Sequence, residues 1–183
     1  MMTHFPRSLL SSFALGVGAI GFGLIGLFSD VSPASANDSS YTSLKDKDCV
    51  QISAEGGGAI SECPARNGFR IFAAADDARS WMIVQKGAVK VDLYDTFARY
   101  APGDFPALAG TPLEWRYGRS NNQPIALIFR ISGNDPRTDK TKTTLLVMRV
   151  SSDSQGRLKI CALGATTSNN ESRAMADGPQ NCN

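Results

Sequence analysis

From Cys49 to Ala162 the chain is a succession of eight or nine short apolar or alternating segments, separated by Gly, Pro, Asn or Asp, with no helix of crossover length between them. Parallel neighbouring strands need a crossover of about a dozen residues or more, so a Rossmann or other doubly wound fold is excluded. The pattern predicts a mainly β domain, a single antiparallel β-sandwich or open barrel of about eight strands with a short C-terminal helix.

The segments carry the detail. Cys49 to Ala54 and Ala59 to Cys63 flank Glu55-Gly56-Gly57-Gly58, whose glycines supply the positive φ that a hairpin turn needs. Phe69 to Ala73 and Trp81 to Lys86 follow, then Val89, Val91 and Leu93 alternate with Lys90 and Asp92. Leu113, Trp115 and Tyr117 alternate with Glu114 and Arg116 in the same way, as do Leu158, Ile160 and Ala162 with their neighbours. Ile125 to Ile131 and Leu145 to Val150 are apolar on both alternating faces, the mark of central strands, with Ser132 to Thr143 a polar loop between them. Ser168 is placed to cap a helix reaching about Asp177, stopped by Gly178-Pro179. Between Tyr94 and Thr111, Pro102, Gly103, Pro106 and Gly110 argue against regular structure, and so long an irregular stretch is expected to be functional or mobile.

Residues 1–36 read as a signal peptide. Arg7 precedes an apolar, Gly-rich run from Leu9 to Phe28, and Pro33-Ala34-Ser35-Ala36 places cleavage before Asn37. The same run has about the ~20 residues needed to span a bilayer, so residues 9–28 would anchor the chain if cleavage did not occur. Residues 37–47 are polar and read as a flexible lead, and residues 48–183 as the β-rich globular domain. The chain from Asn37 onward has 147 residues, with 18 basic and 16 acidic side chains. That near balance argues against a nucleic-acid partner, which calls for Lys and Arg gathered on one face.

All four cysteines lie after the signal, and in an exported chain an even number implies disulfides. The two close pairs favour Cys49 with Cys63 and Cys161 with Cys182, each closing a short loop. No CxxC spacing supports a metal site, and no metal or other cofactor is expected.

The one histidine of the chain, His4, falls within the signal. A Ser-His-Asp or Cys-His centre is therefore impossible in the mature domain, and neither a Ser-x-x-Lys motif nor a phosphate-binding glycine loop is present. Carboxylates remain, and a carboxylate-dependent hydrolase of envelope glycans would need Glu114 to meet Asp77 or Asp92 across a cleft. The competing reading is a non-catalytic binder. Arg79 and Trp81, with Arg116 on the same face and Tyr94, Phe97 and Tyr100 on the irregular stretch, are its candidate contact residues. A purely structural role for the same residues puts Trp81 and Trp115 in the core and pairs Arg79, Arg116 and Glu114 across an exposed sheet face.

The order Tyr41-Thr42-Ser43-Leu44, Cys49, Cys63, Gly68-Phe69, Asp77 with Arg79, Leu113-Glu114-Trp115-Arg116, and an Ala-rich helix between Cys161 and Cys182 resembles a family of small, uncharacterised exported proteins of alphaproteobacteria. Pro64-Ala65-Arg66-Asn67 departs from the glycine-richer link that the family pattern has before Gly68. The resemblance implies an exported domain and no catalytic residue. With the absences above, it leads to the expectation of a periplasmic or secreted binding module, a protein-binding or hydrolase-inhibitor-like domain with a periplasmic protein partner.

Overall fold

The computed structural model describes residues 38–119 and 122–182. The signal, its cleavage before Asn37 and the alternative anchor at residues 9–28 lie outside the described residues.

Among the described residues the fold is mainly β, two sheets of antiparallel strands with two α-helices. One sheet has five strands in simple chain order: β2 (Val50–Glu55), β3 (Gly58–Cys63), β4 (Phe69–Asp76), β5 (Arg79–Lys86) and β6 (Val89–Asp92). Its first hairpin turns at Gly56 and Gly57, with φ of +59° and +91°, values that an L side chain adopts only under strain. The Cys49–Cys63 disulfide closes the open end of that hairpin, as the cysteine spacing predicts.

The second sheet has six strands. β1 (Ser39–Thr42), β8 (Leu113–Tyr117), β9 (Pro124–Asn134), β10 (Thr141–Ser152) and β11 (Leu158–Thr166) lie in that order, and β7 (Asp104–Leu108) pairs with the distal half of β9 beyond the end of β8. Helix α1 (Tyr94–Tyr100) links the two sheets, and α2 (Asn169–Asp177) ends the fold. Ser168 caps α2 by accepting the N–H of Glu171, and the Cys161–Cys182 bridge ties the tail after α2 to β11.

One core joins the inner faces of both sheets. Ile71, Met82 and Val84 of the five-stranded sheet pack with Leu113, Trp115, Leu127, Phe129, Ile131, Leu146 and Met148 of the other. Each such side chain contributes roughly 1.5–3 kcal/mol on burial. The Trp115 indole N–H is satisfied by Thr42 Oγ1 at 2.8 Å, which fixes β1 against β8.

β9 and β10 are apolar on both faces because both are covered. Leu127, Phe129, Leu146 and Met148 enter the shared core, while Ala126, Ile128, Leu145 and Val147 form a second cluster beneath Ala176 and Met175 of α2.

Three expectations need correction. The lead over residues 37–47 is not loose from Ser39 on, because β1 pairs with β8 from Ser39↔Arg116 to Thr42↔Leu113. The loop between Ser132 and Thr143 is shorter than expected, since β9 runs on to Asn134 and β10 begins at Thr141. The stretch from Tyr94 to Thr111 is not irregular, for it holds α1 and β7. Asp92 Oδ1 accepts the Tyr94 N–H at the start of α1, and Phe97 turns inward to stack on Phe129 at 5.7 Å. β7 tolerates Pro106 because it bulges between Asp104 and Ala107, with Phe105 at φ +51°.

Candidate functional site

The outer faces of the two sheets differ. Helix α2 packs on the outer face of the six-stranded sheet, whereas that of the five-stranded sheet carries a separate apolar cluster of Phe72, Ala74 and Ile83, joined by Ile60 and Trp81. Every member of this third cluster comes from β3, β4 or β5, and Phe72, Ala74 and Ile83 are themselves buried, while Trp81 and Ile60 at its edge are half-buried. Register explains the grouping: Ile60, Ala74 and Trp81 lie in one row across three strands, and Phe72 and Ile83 in the next. The guanidinium of Arg70 and the ammonium of Lys90 stand over the Phe72 ring at 4.8 and 5.5 Å, their stems shielding it from water. A groove of about 440 Å3 runs across this face past Ser53, Ile60, Trp81 and Lys90.

Aromatic and basic groups border the groove. Tyr94, 41% exposed, meets Trp81 edge to face at 5.0 Å. The Trp81 indole N–H is buried without an acceptor among the described residues. Arg79 lies over the ring of Phe105 at 5.2 Å, with Asp77 at 3.8 Å, and Phe105 is 45% exposed. Behind Arg79 the inner face of the sheet ends in small side chains, Ala59, Ser61, Ala73 and Ala75, which floor a cleft of about 820 Å3.

Of the candidate contact residues, the structure thus brings Arg79, Trp81 and Tyr94 to one side of the molecule. It removes two others. Phe97 is fully buried, because the α1 turn aims it into the core. Arg116 is 4% exposed and belongs to the other sheet, under α2, so it shares no face with Arg79. Tyr100 is half-buried against the main core. Phe105, an aromatic of the same stretch, proves exposed because the β7 bulge turns it out of the strand alternation.

Sequence reading missed the charged layer beneath α2. Glu114 accepts from Arg173 Nε at 2.8 Å and from Ser39 Oγ at 2.7 Å, Arg116 binds Asp177 and Ser39, and Arg149 donates to the carbonyl oxygens of Ala176 at 3.0 Å and Gly178 at 2.6 Å. The only signal available for it was the charged residue alternating with apolar ones on β8 and β10, which reads equally well as a solvated face. This layer takes up the Glu114 carboxylate, and the partners weighed for it, Asp77 and Asp92, belong to the other sheet. Among the described residues, no three His, Cys, Asp or Glu side chains gather as a metal site would require.

No protein-family model, curated protein or solved structure matches the chain.

Proposed function

We propose that the protein is an exported, non-catalytic binding module, periplasmic or secreted, that meets a protein partner through the aromatic and basic border of the outer face of its five-stranded sheet. The observation that carries this reading is the difference between the two outer faces: α2 packs on one, and the other is bordered by exposed Tyr94, packed on Trp81, and exposed Phe105, packed under Arg79. Large aromatic side chains left exposed beside polar and charged groups mark interaction sites. Trp, Tyr and Arg dominate the energetics of such contacts, and Trp81, Tyr94 and Arg79 stand together here. Two disulfides fit an oxidising compartment, and the family resemblance implies export as well. A rigid, stapled scaffold that presents a small contact patch also suits a hydrolase-inhibitor-like role.

The test is quantitative capture from a periplasmic extract of the native host, with the domain as bait and Tyr94→Ala and Arg79→Ala as controls. Both side chains are partly exposed, so both variants are expected to keep the wild-type melting temperature within a few degrees. The expected result is one protein retained by the wild type and reduced at least tenfold with either variant. A partner held equally by all three baits would move the contact elsewhere. Intact mass of the natively produced protein tests export, and loss of residues 1–36 is expected.

A further inference from the structure

A polar cleft of about 830 Å3 opens where the loop before β4 meets β1 and the end of β8. Its described lining residues are polar apart from Gly118 and differ in kind from those of the aromatic groove on the five-stranded sheet. Two exposed arginines from separate loops, Arg66 and Arg119, stand on its walls, and Asp38 is the one carboxylate among its described lining residues.

The floor is held in place by a chain of hydrogen bonds. The Tyr117 hydroxyl lies 3.0 Å from Ser40 Oγ and donates to Asn67 Oδ1 at 2.9 Å, and Asn67 Nδ2 donates to the Asn122 carbonyl oxygen at 2.6 Å. Asn67 and Gly68 adopt φ of +55° and +74°, which turns the chain into β4, and the Phe69 N–H donates to the Arg66 carbonyl at 3.0 Å. The backbone that carries Arg66 is therefore fixed at the cleft wall. Among the described residues its guanidinium makes one long contact, 3.4 Å to the Tyr41 carbonyl, which a ligand can replace at little cost.

We infer that this cleft is a binding site for an oxyanion, the carboxylate or phosphate group of a small ligand, with Arg66 and Arg119 as its guanidinium donors. Two guanidiniums against one carboxylate make the described lining residues net positive. Guanidinium forks match the paired oxygens of carboxylate and phosphate, and fixed hydroxyl and amide groups beside them supply orientation. The volume falls within the roughly 300–1,000 Å3 of small-ligand sites. The site shares no residue with the protein-contact face and stands whether or not that face binds a partner.

Titration of the purified protein with inorganic phosphate and, separately, with citrate tests the inference. Ionic strength is held constant with sodium chloride, and the readouts are the melting temperature and the amide shifts of Asn67 and Tyr117. Saturable binding of one or both anions is expected, phosphate alone indicating a phosphorylated ligand and citrate alone a carboxylate. Arg66→Ala and Arg119→Ala should each weaken binding at least tenfold, with Arg66→Lys between Ala and wild type. Arg66 is exposed, so Arg66→Ala decides the matter even if Arg119→Ala folds poorly. Equal, non-saturating responses to phosphate, citrate and chloride, or an Arg66→Ala variant with unchanged affinity, would overturn it.

Discussion

Arg116 grips Asp177 in a fork, its Nε and one terminal nitrogen donating to the two oxygens of the carboxylate that ends α2. An acidic residue at a helix C-terminus opposes the helix dipole, and here the cost is offset by cations on the sheet beneath. Arg149 adds a second, donating to the Ala176 and Gly178 carbonyls that the helix end leaves open. Burial pushes the Arg149 guanidinium below its ordinary pKa, with nearby Asp177 acting in the opposite direction. α2 is thus held by charge as well as by Ala176 and Met175.

Replacing Asp177 with Ala should cost about 1–3 kcal/mol in urea unfolding, less than breaking a fully buried pair, because the Asp177 side chain is 28% exposed and Glu114 still faces the buried Arg116 at 3.5 Å. The double variant Arg116→Met with Asp177→Leu should recover more than half of that loss, since no charge is then left buried without its partner.

Phe97→Ala and Tyr94→Ala should differ sharply although they lie three residues apart on α1. Phe97 is fully buried against Phe129, so its truncation should cost about 3–5 kcal/mol, while Tyr94→Ala should cost less than about 1.5 kcal/mol, the value of its edge contact with Trp81. Thermal unfolding of the two purified variants checks this.

Gly133→Ala should destabilise by about 1–3 kcal/mol, as overpacking does. A Cβ on Gly133 would lie 2.7 Å from the Gly103 carbonyl oxygen, and one on Gly103 would press into that of Asn134, so two backbones meet with no side chain able to yield. The matched control Gly156→Ala, where nothing lies near the Cβ but φ is +75°, reports backbone strain alone. Melting temperatures of the two variants separate the two effects.

The Asp135 carboxyl is held below its ordinary value of 3.8, first by its hydrogen bond with Lys142 and then by the backbone N–H of Arg137. A depressed folded value means that its contribution is complete above the ordinary pKa and is lost as pH falls below 4 through the folded value. Carboxyl-resolved NMR titration should find the Asp135 midpoint below 3.8, and Asp135→Asn should flatten that part of the acid limb of stability.

What the sequence made legible followed from local chemistry. The double-sided apolar runs of β9 and β10, the Ser168 cap and Gly178-Pro179 stop of α2, the glycine hairpin and both disulfides each rest on residues near one another in the chain. The missed elements have other causes. β1 is a polar strand whose evidence lies 75 residues away at Glu114. The one apolar turn of α1, Phe97, Tyr100 and Ala101, was outweighed by the prolines and glycines after it. For the site, residue type was informative and direction was not. Arg116 and Arg79 share a chemistry, and only the position of α2 decides that the first is a buried clamp and the second stands at an open face.

The meander from β2 to β6 uses one unbroken stretch of chain, each strand pairing with the next, while β1 has to wait for β8. In time, this separates the two sheets. Chain emerging from its N-terminus can complete the five-stranded sheet by Asp92, before any strand of the other sheet except β1 exists, and low sequence separation favours that early closure. The outer face of that sheet is then expected to be the earliest surface of the molecule in every round of folding. A partner that recognises it can engage the chain before α2 has been added.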